Sequence, residues 1–113
     1  MPFIHVRTTK SVSKQKEQLL ASRIGSMMPL IDKSERWLMV GCEEKCHLYF
    51  QGSGEKDLAF VTAAVFGKVE STKADALTKE LTAAVSELLE IDPDCIYIQY
   101  QEAAIWGWNG SNF

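Results

Sequence analysis

Two stretches of this chain run through the same order of hydrophobic patterns, strand then helix then strand, and that repetition narrows the fold more than any other feature. Residues 2–8 alternate, with Ile4 and Val6 on one side and Phe3, His5 and Arg7 on the other, the period of a strand. Pro2 falls on the Ile4/Val6 side. A first strand position suits it, because the missing N–H costs least there. Ser11-Val12-Ser13 then offers N-cap candidates, and Val12, Leu19, Leu20, Ile24, Met27 and Met28 recur at helical spacing. Gly25 weakens the middle of that helix and Pro29 stops it near its end. The continuous apolar run Trp37-Leu38-Met39-Val40-Gly41-Cys42 reads as a buried strand.

After the turn residues Gln51-Gly52-Ser53-Gly54, the plan recurs. Leu58 to Phe66 is an apolar strand broken by Gly67. Thr72, with Asp75 three residues on, resembles a capping box. Leu77, Leu81, Ala84, Val85 and Leu88 form the stripe of a second helix closed by Asp92-Pro93, and Cys95 to Gln101 alternates again. A strand–helix–strand unit with parallel strands needs a crossover of this length, and it is right-handed. Two such units side by side predict an α/β (α+β) fold in one domain, residues 1–113: a four-stranded mixed sheet with two helices on one face. The other face stays uncovered, and its apolar content predicts burial in an oligomer. The tail is too aromatic for a free terminus, and Asn109-Gly110 predicts a tight turn that docks its rings.

Composition excludes some functions. A net charge of −3 argues against a nucleic-acid partner, which demands a basic face. No apolar run approaches the ~20 residues of a membrane span. Cys42, Cys46 and Cys95 leave one thiol over in any disulfide scheme, so a reducing compartment, the cytoplasm, is expected; export by an unconventional route leaves no signal to read. Cys42, Cys46 and His47 lack a fourth metal ligand and fit no finger spacing, so no metal is expected.

The opening Met1-Pro2 offers a candidate for acid–base chemistry, set against the commoner case of a solvated, idle terminus. Methionine aminopeptidases remove an initiator Met before a small residue, and the chain would then begin with a secondary amine. An α-amino group titrates near ~8, so burial or a neighbouring cation makes it a base at neutral pH.

Pro2, Lys33 after the first helix, Phe66-Gly67-Lys68, the series Asp92-Pro93-Asp94-Cys95-Ile96-Tyr97-Ile98 and the closing Gly107-Trp108-Asn109-Gly110-Ser111-Asn112-Phe113 occur in an ordered set. In that set the chain resembles macrophage migration inhibitory factor and its microbial and protozoan relatives, in the tautomerase superfamily. The resemblance implies a homotrimer with active sites at subunit boundaries. It also implies cofactor-free keto–enol tautomerisation of α-keto acids such as phenylpyruvate. Pro2 matches the general base and Lys33 the lysine that holds the substrate carboxylate. Phe66 matches the position whose backbone N–H meets the substrate, and Tyr97 the tyrosine supplied by the adjacent subunit. Trp106, Trp108 and Phe113 match apolar positions of the pocket.

The departures from the family pattern are specific. Leu58 and Val61 stand where the mammalian cytokine has a Cys-x-x-Cys, so no thiol chemistry is expected there. Asp32-Lys33-Ser34 replaces Gly-Lys-Pro, and Asp32 is expected to pair with Lys33. Gln99 replaces an asparagine, and Phe66 is bulkier than the usual aliphatic residue. Two alternatives stand beside the tautomerase. One is a cytokine-like protein that binds a protein receptor and keeps a vestigial pocket. The other is the same scaffold running a hydratase or decarboxylase reaction, for which neither Arg7 nor Arg36, the only arginines besides Arg23, is clearly placed.

Overall fold

The computed structural model describes all 113 residues. Strand β1 (Pro2–Thr8) is followed by helix α1 (Lys14–Gly25), strand β2 (Met39–Glu43), strand β3 (Ala59–Phe66), helix α2 (Ser71–Leu89) and strand β4 (Ile96–Ala103). Two short strands, β5 (Gly107–Trp108) and β6 (Ser111–Asn112), close the chain. The sheet order is β2-β1-β3-β4. Each unit pairs its own strands in parallel, β1 with β2 and β3 with β4, while β1 and β3 meet antiparallel at the centre. The mixed four-stranded sheet expected from the duplicated pattern is therefore the one observed.

Alternation decides which face is core. Ile4, Val6, Val61, Ala63 and Val65 point under the helices and are fully buried. They meet Leu20, Ile24 and Met28 from the first unit and Leu77, Leu81, Ala84 and Val85 from the second. Each large side chain so buried contributes roughly 1.5–3 kcal/mol of transfer free energy. Ser13 caps α1, accepting from the Lys16 N–H at 3.2 Å.

Four sequence expectations need correcting. Leu19 is 51% exposed, because the buried stripe runs through Leu20, Ile24, Met27 and Met28 and its neighbour in sequence is turned away from it. Gly25 ends α1 and does not interrupt its middle; a Cβ there would collide with the Glu35 side chain. The run Trp37–Cys42 is not a buried strand: Trp37 sits in a 3-10 turn (Glu35–Trp37), and β2 is an edge strand with Met39 67% exposed. The Thr72/Asp75 box does not form, since α2 already starts at Ser71. The Thr72 hydroxyl instead donates to the Glu70 carboxylate.

The uncovered face carries three rows of side chains, set by the register. Phe3 lies beside Met39 and Ala64, His5 beside Gly41 and Thr62, and Arg7 beside Glu43 and Phe60. Two polar atoms on this face, Arg7 Nε and Thr62 Oγ1, are buried without a hydrogen-bond partner.

Candidate active site

Pro2 begins β1 opposite Val65 and is buried. The residue before it continues the ladder, for the Phe66 N–H donates to the Met1 carbonyl at 3.1 Å. Lys33 arrives from the other side. A 3-10 turn (Met28–Ile31) follows α1, and Asp32 adopts a left-handed conformation, φ 58°, that reverses the chain. The Lys33 N–H is then tied to the Met28 carbonyl at 3.1 Å. Its Nζ donates to the Phe66 carbonyl at 3.0 Å. The chain terminus and the lysine thus converge on the two peptide groups of one residue.

The electrostatics follow from that convergence. The terminal amine of Met1 is held below the ordinary α-amino range, first by burial and then by the Lys33 charge. Both effects disfavour an ammonium and raise the neutral fraction near pH 7. Asp32 does not pair with Lys33 as expected. Its left-handed turn points the carboxylate at Lys73 on α2, with which it forms an ion pair. Lys33 therefore keeps its charge uncompensated.

An aromatic wall stands beside these groups. The Phe66 ring tilts on Phe113 at 5.7 Å, Phe113 stacks parallel to Trp108 at 6.5 Å, and Trp108 meets Trp37 edge-on at 5.0 Å. The hairpin holding Trp108 turns at Asn109 (φ 52°) and Gly110 (φ 81°), the paired positive values of a two-residue turn. Trp106 fastens it by accepting the Phe113 N–H at 3.0 Å. Trp37 is the residue sequence reasoning missed as part of this cluster. Its place four positions after Lys33, on the same connection, was the available signal.

Tyr97 and Gln99 are not brought to Pro2. The register Tyr97–Phe60–Arg7 puts Tyr97 five residues along the sheet from Pro2, about 17 Å at ~3.4 Å per residue. There it is 58% exposed and meets Phe50 edge-on at 5.2 Å. Leu48, Phe50, Phe60 and Ile96 form an apolar hollow around it. No basic side chain lines that hollow. Gln99 lies level with Thr62 and His5 and accepts from Gln101 Nε2 at 3.3 Å. Among the thiols, Cys42 is pushed up to about 11 by burial and then by Glu17 and Glu44, so it remains protonated at neutral pH.

Comparison with known proteins agrees with this fold. The family model described as macrophage migration inhibitory factor matches residues 1–113. The curated macrophage migration inhibitory factor of Meriones unguiculatus is 30% identical over 115 residues, covering 100% of this chain and 99% of the relative. The crystal structure of Leishmania major MIF2 superposes with a TM-score of 0.94 at 29% identity, covering 100% of this chain and 97% of that one. A homologue from Prochlorococcus marinus shares the fold with a TM-score of 0.88 at 23% identity, covering 98% of each chain.

Proposed function

The chain belongs to the macrophage migration inhibitory factor family, and on that premise we propose that it is a cofactor-independent keto–enol tautomerase of phenylpyruvate-like α-keto acids with Pro2 as general base. The observation that carries the reading is the meeting of a half-buried chain terminus, with Pro2 buried behind it, and a lysine that has no carboxylate partner. Removal of Met1 exposes the Pro2 nitrogen as a secondary amine in the field that already depresses the Met1 amine. The same removal releases the Phe66 N–H from the Met1 carbonyl, leaving a donor for the substrate.

In the proposed reaction, Lys33 binds the carboxylate and the aromatic wall that includes Trp108 and Phe113 takes the aryl group, with Trp106 as a further apolar position of the pocket. Neutral Pro2 takes a proton from the carbon next to the carbonyl and returns it elsewhere on the enol system. A fixed base held against one carbon supplies proximity as well as basicity. Tyr97 and Gln99 reach a site only from a neighbouring copy, which fits a homotrimer of single-domain subunits with boundary sites. The uncovered sheet face and its unpartnered Arg7 Nε and Thr62 Oγ1 support such burial, since buried polar groups in native proteins are almost always paired. The cytoplasm is the proposed location. A cytokine-like role with a protein receptor is the second reading, favoured by the names of the curated relatives.

The test is phenylpyruvate tautomerisation by protein whose intact mass proves Met1 removed, beside Pro2→Gly processed in the same way. Turnover lost in the variant, with fold and subunit mass retained, supports the mechanism; equal rates refute it.

A further inference from the structure

The connection between α1 and β2 carries a second cation. Arg36 lies three residues beyond Lys33, and its guanidinium sits over the Trp37 ring, 5.1 Å from the centroid. It takes part in none of the four ion pairs of the chain. Of the two carboxylates nearest in sequence, Asp32 pairs with Lys73, and Glu35 lies over Gly25 at the end of α1 and forms no ion pair with Arg36. The aromatic wall joins the two cations. Lys33 holds the Phe66 carbonyl at one end, and the rings of Phe66, Phe113, Trp108 and Trp37 lead to Arg36 at the other.

An apolar wall with an uncompensated cation at each end fits a ligand that is apolar in its middle and anionic at both ends. The geometry points to Arg36 as a specificity residue that selects aryl keto acids carrying a second anionic group at the far end of the ring. This rests on the tautomerase reading for its reaction, while the binding element stands on the two cations alone. Stacking on Trp37 holds the guanidinium in place, so less side-chain freedom is lost when it meets an anion. Its planar fork also suits a carboxylate bidentately.

The experiment compares phenylpyruvate with 4-carboxyphenylpyruvate on Met1-free protein, for the wild type and Arg36→Met, which keeps an apolar stem over Trp37. The wild type should prefer the dicarboxylate through KM, with kcat similar for the two. Arg36→Met should lower kcat/KM for the dicarboxylate about three- to tenfold more than for phenylpyruvate. The preference should fade as ionic strength rises and the screening length shrinks from ~10 Å at 0.1 M toward ~3 Å at 1 M. No preference in a wild type that turns phenylpyruvate over overturns the proposal, as does an equal loss on both substrates, which would make Arg36 a packing residue for Trp37. Absence of all turnover sinks the tautomerase reading instead. In that case quenching of tryptophan fluorescence by 3-(4-carboxyphenyl)propionate against 3-phenylpropionate decides the matter. An Arg36-dependent excess affinity for the dianion upholds the site, and equal affinities remove it.

Discussion

The two strand–helix–strand units share a topology and part company where each helix ends. Helix α2 runs 19 residues, reverses at Glu90 (φ 59°), and reaches β4 through residues 90–95. Helix α1 runs 12 residues and gives out at Gly25, and residues 26–38 then pass through two 3-10 turns before β2. Local chemistry accounts for the difference. Glycine costs about 1 kcal/mol in a helix interior relative to alanine, and Pro29 cannot continue one. The early stop gives the first unit a long connection, and that connection delivers Lys33, Arg36 and Trp37. The first copy carries Lys33, Arg36 and Trp37 on its connection, while the second meets the chain terminus through Phe66 at the end of β3.

The strongest way to break that division is at Pro2. Exchange for glycine leaves a primary amine without the ring, and general-base contributions are typically ~100- to 10,000-fold. Phenylpyruvate turnover should fall within that range while circular dichroism and subunit mass stay as in the wild type. A fully active variant would detach the chemistry from the first unit. The complementary change lies in the second unit. Leu81 is fully buried between α2 and the sheet. Leu81→Ala should cost about 2–5 kcal/mol of stability, read as a lower denaturant midpoint. Under conditions where it is fully folded, its kcat should match the wild type. A collapsed kcat there would show that the units cannot be separated in this way.

The legible part of the molecule was the part governed by period. Ile4/Val6 and Ile96/Ile98 announce their strands by alternation, and Leu77, Leu81 and Val85 announce α2, because burial on one face repeats at a fixed interval. Asn109-Gly110 announces its turn because few other residues tolerate two positive φ values in succession. Edge against centre was not legible. An apolar run reads alike in either place, so Trp37–Cys42 reads as a buried strand, and only the ladder shows that β2 has a single neighbour. Side-chain partners were the least legible. Sequence puts Asp32 next to Lys33, but the left-handed turn at Asp32 sends its carboxylate to Lys73, 41 positions away. Pro2 and Lys33 could be matched to roles by resemblance. For Trp37 the sequence offers only its nearness to Lys33, and the turn it sits in is what shows that it joins the aromatic cluster.

Lys33 sharpens the comparison at an intermediate scale. Lys33→Met removes the proposed carboxylate contact, and hydrogen bonds to charged groups are worth ~1.5–3 kcal/mol, so KM should rise at least about tenfold. It also removes one cause of the depressed amine. The sign follows directly. A general base works when neutral, so kcat/KM climbs as pH rises through the pKa of the terminal amine. A cation nearby lowers that pKa and moves the climb to lower pH. Without Lys33 the climb should shift to higher pH, while burial, the larger cause, keeps part of the depression. A pH profile superimposable on the wild type would mean that the lysine acts on the substrate alone.

The smallest effect tests whether the two units communicate through the Asp32–Lys73 pair. Both partners are substantially exposed, so either single removal should cost no more than about 1 kcal/mol of stability. The kinetic outcomes should differ, because the two variants leave different groups behind. Asp32→Asn removes the carboxylate, and Lys33 stays uncompensated. Lys73→Met leaves the carboxylate without its partner, one residue from Lys33. The freed Asp32 can then swing to the Lys33 ammonium, offset its charge, raise the amine pKa and weaken the carboxylate site. Lys73→Met should therefore shift the rising limb of the pH profile in the same direction as Lys33→Met but less, and Asp32→Asn should not shift it. Equal profiles for the two variants would show that α2 supports the site by packing alone, with no part in keeping Lys33 charged and available.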